Sequence, residues 1–184
     1  SVSITVLTPP NANAGTDLSI CAGNTATVSA TGGINYIWSN GQTSSSFTYT
    51  PAASETLTVT VTAANGCTAT DAVYIETLPA PIADAGSDQT ICEGQSATLT
   101  ASGGVIYEWS DNAGNTADVT VSPVTATSYT VTVTDNNGCT ASDQVTVNVN
   151  PLPDPGFTYI TDELNVIFTN TSVNSASYMW YFGD

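Results

Sequence analysis

Lysine, arginine and histidine are all absent from this chain of 184 residues, so its 16 aspartates and glutamates have no cationic side chain to balance them. Nucleic-acid binding by phosphate neutralisation is therefore excluded, as are a basic patch for anionic lipids and internal salt bridges between side chains. The chain also has no apolar run of the roughly 18 residues that a membrane-spanning helix needs. We expect no nucleic-acid partner and no membrane insertion.

The missing histidine and lysine also remove the usual bases of covalent catalysis. A nucleophilic serine or cysteine is activated by such a base, and none occurs in the sequence. A carboxylate pair can hydrolyse glycosides, but no acidic pair recurs at a place that suggests a cleft. We expect no catalytic residues, and we interpret the chain as a protein that is not an enzyme.

Helical patterning is lacking as well, since no window of about 11 residues carries a convincing apolar stripe. Apolar and polar residues instead alternate with a period of two, as in Leu57, Val59 and Val61. This alternation is typical of half-buried strands. Because 41% of the residues are hydrophobic, the composition is not that of a disordered chain, and the sequence predicts an all-β fold.

A tyrosine and a tryptophan, separated by one residue, recur every 71 residues. The three pairs are Tyr36 with Trp38, Tyr107 with Trp109, and Tyr178 with Trp180. The flanking sequences agree closely, since residues 14–38 read AGTDLSICAGNTATVSATGGINYIW and residues 85–109 read AGSDQTICEGQSATLTASGGVIYEW. A fixed period of this size indicates tandem copies of one domain.

Each repeat is predicted to be a sandwich of two β-sheets. The alternation and turn signals place strands of the first repeat near 16–21, 25–31, 34–39, 45–50, 56–63 and 68–77. Asn65-Gly66 and Asn137-Gly138 predict the last hairpin turn of each repeat. Six or seven short strands with frequent turns are typical of an immunoglobulin-like sandwich. The tyrosine and tryptophan pairs then lie on the third strand, where a core role is favoured over stacking on a ligand.

The repeat period also divides the chain into domains. Residues 9–79 and 80–151 form two complete repeats, and residues 152–184 begin a third unit. Residues 1–8 are interpreted as the last strand of a preceding repeat, because Val2 and Ile4 align with Val73 and Ile75. A lone strand and a partial domain could not bury their own apolar faces, so we expect the natural protein to be longer.

The four cysteines, Cys21, Cys67, Cys92 and Cys139, fall at equivalent places in the two repeats. Their spacing does not resemble a zinc site, and disulfides are the simplest interpretation, which predicts an extracellular location. Pairing within repeats gives Cys21–Cys67 and Cys92–Cys139. In an immunoglobulin-like sandwich, however, the first turn and the last hairpin lie at opposite ends, so a bond between repeats, Cys21–Cys139, is equally reasonable.

Calcium is the one cofactor that the sequence brings into question. Asp84 and Asp88 lie near a proline-containing linker, and Asp135 lies at a hairpin, so all three offer the oxygen ligands that calcium prefers. The alternative is that these aspartates are turn residues.

The motifs AG-x-D-x-x-IC-x-G, Y-x-W and YTVTVTDNNGCTAS resemble the tandem immunoglobulin-like repeats of large secreted surface proteins of Bacteroidetes, including gliding-motility adhesins. The resemblance covers residues 1 to about 150. The last segment, 152–184, resembles the start of a PKD domain, whose hallmark W-x-F-G-D-G is matched at Trp180, Phe182, Gly183 and Asp184. These resemblances imply β-sandwich domains and export, commonly by the type IX route, with tethering at the cell surface.

The expected function is that of a stalk in a cell-surface adhesin or extracellular filament. Proline in the linkers stiffens such an array, and its partners are the neighbouring repeats and other copies in a filament. An adhesive tip would bind a surface glycan or protein that the sequence does not identify. Two alternatives remain: spacer or binding modules of a secreted hydrolase, or a pilus-like subunit that donates residues 1–8 as a completing strand.

Overall fold

The computed structural model describes residues 2–183, which form fourteen β-strands and one short 3₁₀ turn at Ser110–Asn112. In chain order the strands are β1 (Leu18–Cys21), β2 (Ala26–Ser29), β3 (Asn35–Trp38), β4 (Ser46–Tyr49), β5 (Glu55–Thr62), β6 (Thr68–Leu78), β7 (Gln89–Cys92), β8 (Ala97–Thr100), β9 (Ile106–Trp109), β10 (Asp118–Val121), β11 (Thr127–Thr134), β12 (Thr140–Asn150), β13 (Phe157–Asp162) and β14 (Asn165–Asn170). The predicted all-β fold is confirmed, and within residues 2–183 no helix has the length and hydropathy needed to cross a membrane.

The chain divides into two compact units. Among the described residues, the first contains residues 2–81 together with 134–141, and the second contains residues 82–133 together with 142–183. The hairpin turn between β11 and β12 therefore belongs with the first unit, although the sequence repeat assigns it to residues 80–151. The compact units also include the two terminal segments, so they follow the sequence repeats only approximately, and this hairpin is the internal segment that changes sides.

The first unit is a two-sheet sandwich. One sheet has the strand order β1-β6-β5-β3, and the other pairs β2 with β4. Strands β5 and β6 are antiparallel, whereas β1 lies parallel to β6 with Cys21 opposite Leu78. Each of the six predicted strands overlaps an observed one.

Alternation along the strands builds the core of this sandwich. On β5, Leu57, Val59 and Val61 are buried, and the threonines between them are partly or fully exposed. These valines share one apolar cluster with Val28 of β2 and Trp38 of β3, so both sheets contribute to it. All buried members of the cluster lie between residues 14 and 75, and Trp38 therefore anchors a core within its own repeat.

The paired glycines before the third strand have a steric role. Gly32 has a φ of +109°, and a Cβ there would collide with the backbone carbonyl of Asn11. Gly103 has a φ of +100° and an equivalent relation to the carbonyl of Ile82. Only glycine adopts this conformation without strain and allows this approach. The start of each repeat, at Asn11 and at Ile82, can therefore lie directly against the turn that precedes the tyrosine and tryptophan.

The second repeat is built in the same way. Its sheets have the orders β7-β12-β11-β9 and β10-β8, and β7 lies parallel to β12 with Cys92 opposite Asn150. Leu99, Val131 and Val147 are fully buried. The strand order and the parallel edge strand of the first repeat are thus reproduced, in agreement with the sequence period.

The two terminal segments differ from the complete repeats. Residues 2–8 are exposed and form no strand, so their assignment to a preceding repeat stays a prediction, and Ser1 lies outside the described residues. In residues 152–183 the structure has one hairpin, β13 with β14. Assignment of this segment to a PKD-like domain also stays a prediction, and Asp184, part of the motif on which it rests, lies outside the described residues.

Candidate functional site

The tryptophans of the two complete repeats are core residues. Trp38 is 2% exposed and Trp109 is 4% exposed. Each indole N–H donates to a backbone carbonyl, of Ser44 at 3.0 Å and of Thr116 at 3.1 Å. A buried indole whose single donor is satisfied cannot stack on a ligand from solvent, and its contribution is to packing.

The tyrosines that precede them are half-buried and hold the glycine turns. The hydroxyl of Tyr36 donates to the carbonyl of Gly33 at 2.8 Å, and the hydroxyl of Tyr107 donates to that of Gly104 at 2.7 Å. The two residues of the motif therefore have different roles on one strand. The tryptophan fills the core, and the tyrosine holds the preceding glycine turn by a hydrogen bond.

The third aromatic pair does not follow this pattern within the described residues, where Tyr178 is 63% exposed, and a core position for this pair stays a prediction. Trp180 is half-buried and packs edge to face on Phe157, with ring centroids 5.6 Å apart. The physical reason is that the described part of this segment has one hairpin and no second sheet to cover the rings. An open pocket of about 550 Å³ lies beside Phe157 and Trp180.

Of the four cysteines, the structure joins Cys21 to Cys139, with 5.5 Å between their Cα atoms. Cys139 is fully buried and Cys21 is half-buried. Cys67 and Cys92 are free thiols. Of the two pairing schemes that the sequence left open, the structure has the bond between repeats.

The within-repeat pairings Cys21–Cys67 and Cys92–Cys139 are incorrect, and the strand register gives the reason. Cys21 lies opposite Leu78, at the end of β6, whereas Cys67 directly precedes the start of β6. That strand has 11 residues and spans roughly 33 Å at 3.3 Å per residue. A disulfide tolerates no more than about 7 Å between Cα atoms. In the second repeat, Cys92 lies opposite Asn150 at the far end of β12 from Cys139.

Two aspartates that the sequence analysis missed bind the backbone near the start of each repeat. A side-chain oxygen of Asp71 accepts a hydrogen bond of 2.8 Å from the amide of Ala14, and Asp143 accepts one of 2.8 Å from Ala85. The sequence feature that identifies them is their recurrence in TATD and TASD, directly after the Asn-Gly-Cys turn of each repeat. Hydrogen bonds from the Ala14 and Ala72 amides lower the pKa of Asp71, and those from Ala85 and Gln144 lower the pKa of Asp143.

The three aspartates proposed as calcium ligands are also occupied by backbone amides. Asp84 accepts from Gly86, and Asp88 accepts from Thr146, both at 2.8 Å. Asp135 accepts from the amides of Asn137 and Cys139, each at 2.8 Å. Residues 2–183 contain no group of three or more acidic or cysteine side chains arranged to hold a metal ion. The structure does not bring the three together. Asp84 and Asp135 accept amides two residues further along the chain, which is the turn role that the sequence offered as the alternative, whereas Asp88 accepts an amide of the distant strand β12.

We expect the melting temperature of the chain to be the same in excess EDTA and in millimolar calcium chloride. The reason is that Asp84, Asp88 and Asp135 already accept backbone hydrogen bonds. Thermal unfolding followed by circular dichroism measures this, with magnesium chloride as the ionic-strength control. A rise specific to calcium would contradict the expectation, since a ligand that binds only the folded state stabilises it.

Replacing Asp71 with asparagine is expected to lower stability at neutral pH more than at acidic pH. Because the folded-state pKa is below the ordinary value of 3.8, the carboxylate stabilises the fold above that value, and its contribution is lost as the pH falls through the folded-state pKa. Melting curves of D71N and the parent should therefore converge on acidification. D118N, at an exposed strand position, is the control, and a pH-independent difference for D71N would contradict the prediction.

Comparison with known proteins gives one family match. Residues 79–151 match the model of a family described as "Ig-like domain CHU_C associated". This range corresponds to the second repeat, and the first repeat has the same strand order. The immunoglobulin-like sandwich predicted from the strand spacing is therefore confirmed. No curated protein matches the chain.

Solved structures that resemble the chain are multidomain immunoglobulin proteins. Titin domains I67–I69 are 11% identical, with a TM-score of 0.39, and the match covers 89% of this chain and 77% of that one. Drosophila OTK extracellular domains 3–5 are 13% identical, with a TM-score of 0.39 and coverage of 77% and 60%. The insect immune protein hemolin is 16% identical, with a TM-score of 0.39 and coverage of 77% and 46%. Likeness at this level carries no information about ligand or activity.

Proposed function

We propose that the chain is a non-catalytic stalk segment of a long secreted cell-surface adhesin or extracellular filament, in which successive sandwich repeats hold an adhesive tip away from the cell. Export by the type IX route and kinship with gliding-motility adhesins are parts of this proposal. Its partners are neighbouring repeats of the same chain and other copies in a filament. The tip, which binds a glycan or a protein, is a separate domain.

The observation that carries the proposal is the Cys21–Cys139 bond, which joins residues 118 positions apart that belong to different sequence repeats. Pulling on the two ends of a chain extends everything between them that is not cross-linked. A disulfide between successive repeats prevents the enclosed residues from extending until it is reduced. This property suits a structure that transmits force.

Composition supports the same role. A net charge of −16 makes neighbouring fibres repel one another, which keeps them apart. The absence of lysine and arginine removes every site for trypsin-like proteases. Disulfides persist outside the cytoplasm, so each of these features fits an extracellular location.

The proposal is tested by immunogold electron microscopy of source cells with an antibody raised against the 184-residue chain. We expect gold particles outside the cell envelope, displaced from the membrane along thread-like structures. Label inside the cell would overturn the proposal. Label confined to a soluble secreted hydrolase would support the alternative of a spacer module.

The pilus-like alternative has one observation in its favour. Val2, Ile4 and Val6 are apolar, alternate along the chain and are at least 85% exposed, as expected for a strand that pairs with another molecule. A chain lacking residues 1–8 separates the two possibilities. Loss of filaments with the truncated chain would indicate strand donation, whereas a stalk would be unaffected.

A further inference from the structure

Cys21 and Cys92 are the first-strand cysteines of the two repeats, and Cys67 and Cys139 are their hairpin cysteines. We infer that Cys92 forms a disulfide with the hairpin cysteine of another copy of this repeat, and that Cys67 forms one with a first-strand cysteine. The Cys21–Cys139 bond then recurs along the array. The inference deepens the proposed stalk, because it names the residues through which one repeat is joined to the next.

The first-strand cysteines have the same backbone setting in both repeats. Cys21 lies opposite Leu78 on the parallel edge of its sheet, and the Cys21 carbonyl accepts from the amide of Asn24 at 3.0 Å. Cys92 lies opposite Asn150, and its carbonyl accepts from Gln95, also at 3.0 Å. Cys92 is exposed. The frame that presents Cys21 to its partner therefore presents Cys92 in the same way.

The hairpin cysteines are equally well matched. The Cys139 carbonyl accepts from the amide of Asp135 at 2.9 Å, and the Cys67 carbonyl accepts from the amide of Ala63 at 2.9 Å. The turns have glycines with φ of +82° at Gly138 and +81° at Gly66. Cys139, which is bonded, is fully buried, whereas Cys67, which is free, is half-buried. The difference indicates a position that its partner covers.

The pairing is directional, because a first-strand cysteine bonds a hairpin cysteine. Cys67 and Cys92 are therefore complementary to each other across two copies of the chain. Identical cysteines would pair only in a geometry for which the Cys21–Cys139 bond gives no precedent. This directionality separates the inference from random oxidation of exposed thiols.

Formation of this bond needs an oxidant, and oxidised glutathione is the oxidant used in the experiment. The Cys92 thiolate attacks one glutathione sulfur and forms a mixed disulfide while one glutathione thiolate leaves. The Cys67 thiolate of a second chain then attacks the Cys92 sulfur and displaces the second glutathione. Two protein thiols have lost two protons and two electrons, and one glutathione disulfide has become two thiols.

The experiment uses the full chain as two variants, C67S and C92S, each retaining Cys21–Cys139. Each variant alone and an equimolar mixture of the two are incubated with oxidised glutathione at about 1 mM protein, which approaches the effective concentration of linked modules. We expect the mixture to give a species of twice the 18.8 kDa chain mass on non-reducing electrophoresis, and each variant alone to stay monomeric. Unchanged melting temperatures before oxidation exclude misfolding as the cause.

Peptide mapping identifies the new bond. Chymotrypsin cuts after aromatic residues and leucine, and so separates all four cysteines without trypsin sites. We expect a disulfide between the peptides that contain Cys92 and Cys67. Dimers of C67S alone as abundant as those in the mixture, no reaction in the mixture, or a Cys67–Cys92 bond confined to single parent chains would each overturn the inference. None of these outcomes depends on where immunogold label is found, so the stalk proposal fails or stands separately.

Discussion

Replacing Trp38 with alanine is expected to lower the free energy of unfolding of the first sandwich by about 3 to 5 kcal/mol. The indole is 2% exposed and packs edge to face on Phe47, with ring centroids 5.4 Å apart. Its removal leaves a cavity between the two sheets and deprives the Ser44 carbonyl of its donor. Because small domains have little stability to lose, we expect most of this sandwich to be unfolded at physiological temperature.

Urea denaturation followed by circular dichroism measures the effect, because W38A removes the tryptophan of the first sandwich. The matched control is I37A, since Ile37 is the adjacent residue on β3 and its side chain is 60% exposed. We expect the control to change stability by no more than about 0.5 kcal/mol. Equal destabilisation by W38A and I37A would contradict the packing role assigned to Trp38.

Removing the Cys21–Cys139 disulfide is expected to cost about 2 to 5 kcal/mol. The bond spans 118 residues, so its loss releases a long loop in the unfolded chain and increases the entropy of that state. The double variant C21A/C139A removes the bond without leaving one of its two cysteines as a new unpaired thiol. Its transition should shift to lower urea concentration than that of the oxidised parent, and reduction of the parent should give the same shift.

The free cysteines provide the control for this experiment. Neither Cys67 nor Cys92 is bonded, so the double variant C67S/C92S should unfold like the oxidised parent and should respond to reduction as the parent does. If C67S/C92S were as unstable as C21A/C139A, the stabilising bond would have to be a different one from that in the structure.

Strand positions could be predicted from the sequence because they depend on local signals. Alternation in β5 and the Asn65-Gly66 turn each act within a few residues, and the repeat provided the same evidence twice. The position of Trp38 on the third strand follows from the order of the predicted strands. The repeat period alone does not predict the burial of Tyr178, because burial depends on a covering sheet and residues 152–183 have one hairpin.

The roles of the acidic residues were less accessible to sequence reasoning. Asp71 accepts a hydrogen bond from Ala14, which lies 57 positions away in the chain, and no local pattern predicts a partner so distant. The sequence offers Asp84 as a calcium ligand because it lies near a linker and supplies carboxylate oxygens. In the structure it accepts the amide of Gly86. Backbone amides therefore take the place that basic side chains would otherwise fill.

By itself, the amino-acid sequence determined the repeat, its strands and the absence of any cationic chemistry, because these follow from local periodicity and composition. Tertiary structure alone decided which cysteines are joined. Parallel pairing of β1 with β6 places Cys21 at one end of that strand and Cys67 at the other. A bond between them would have to span the length of the sandwich, so Cys21 bonds the hairpin cysteine of the following repeat instead.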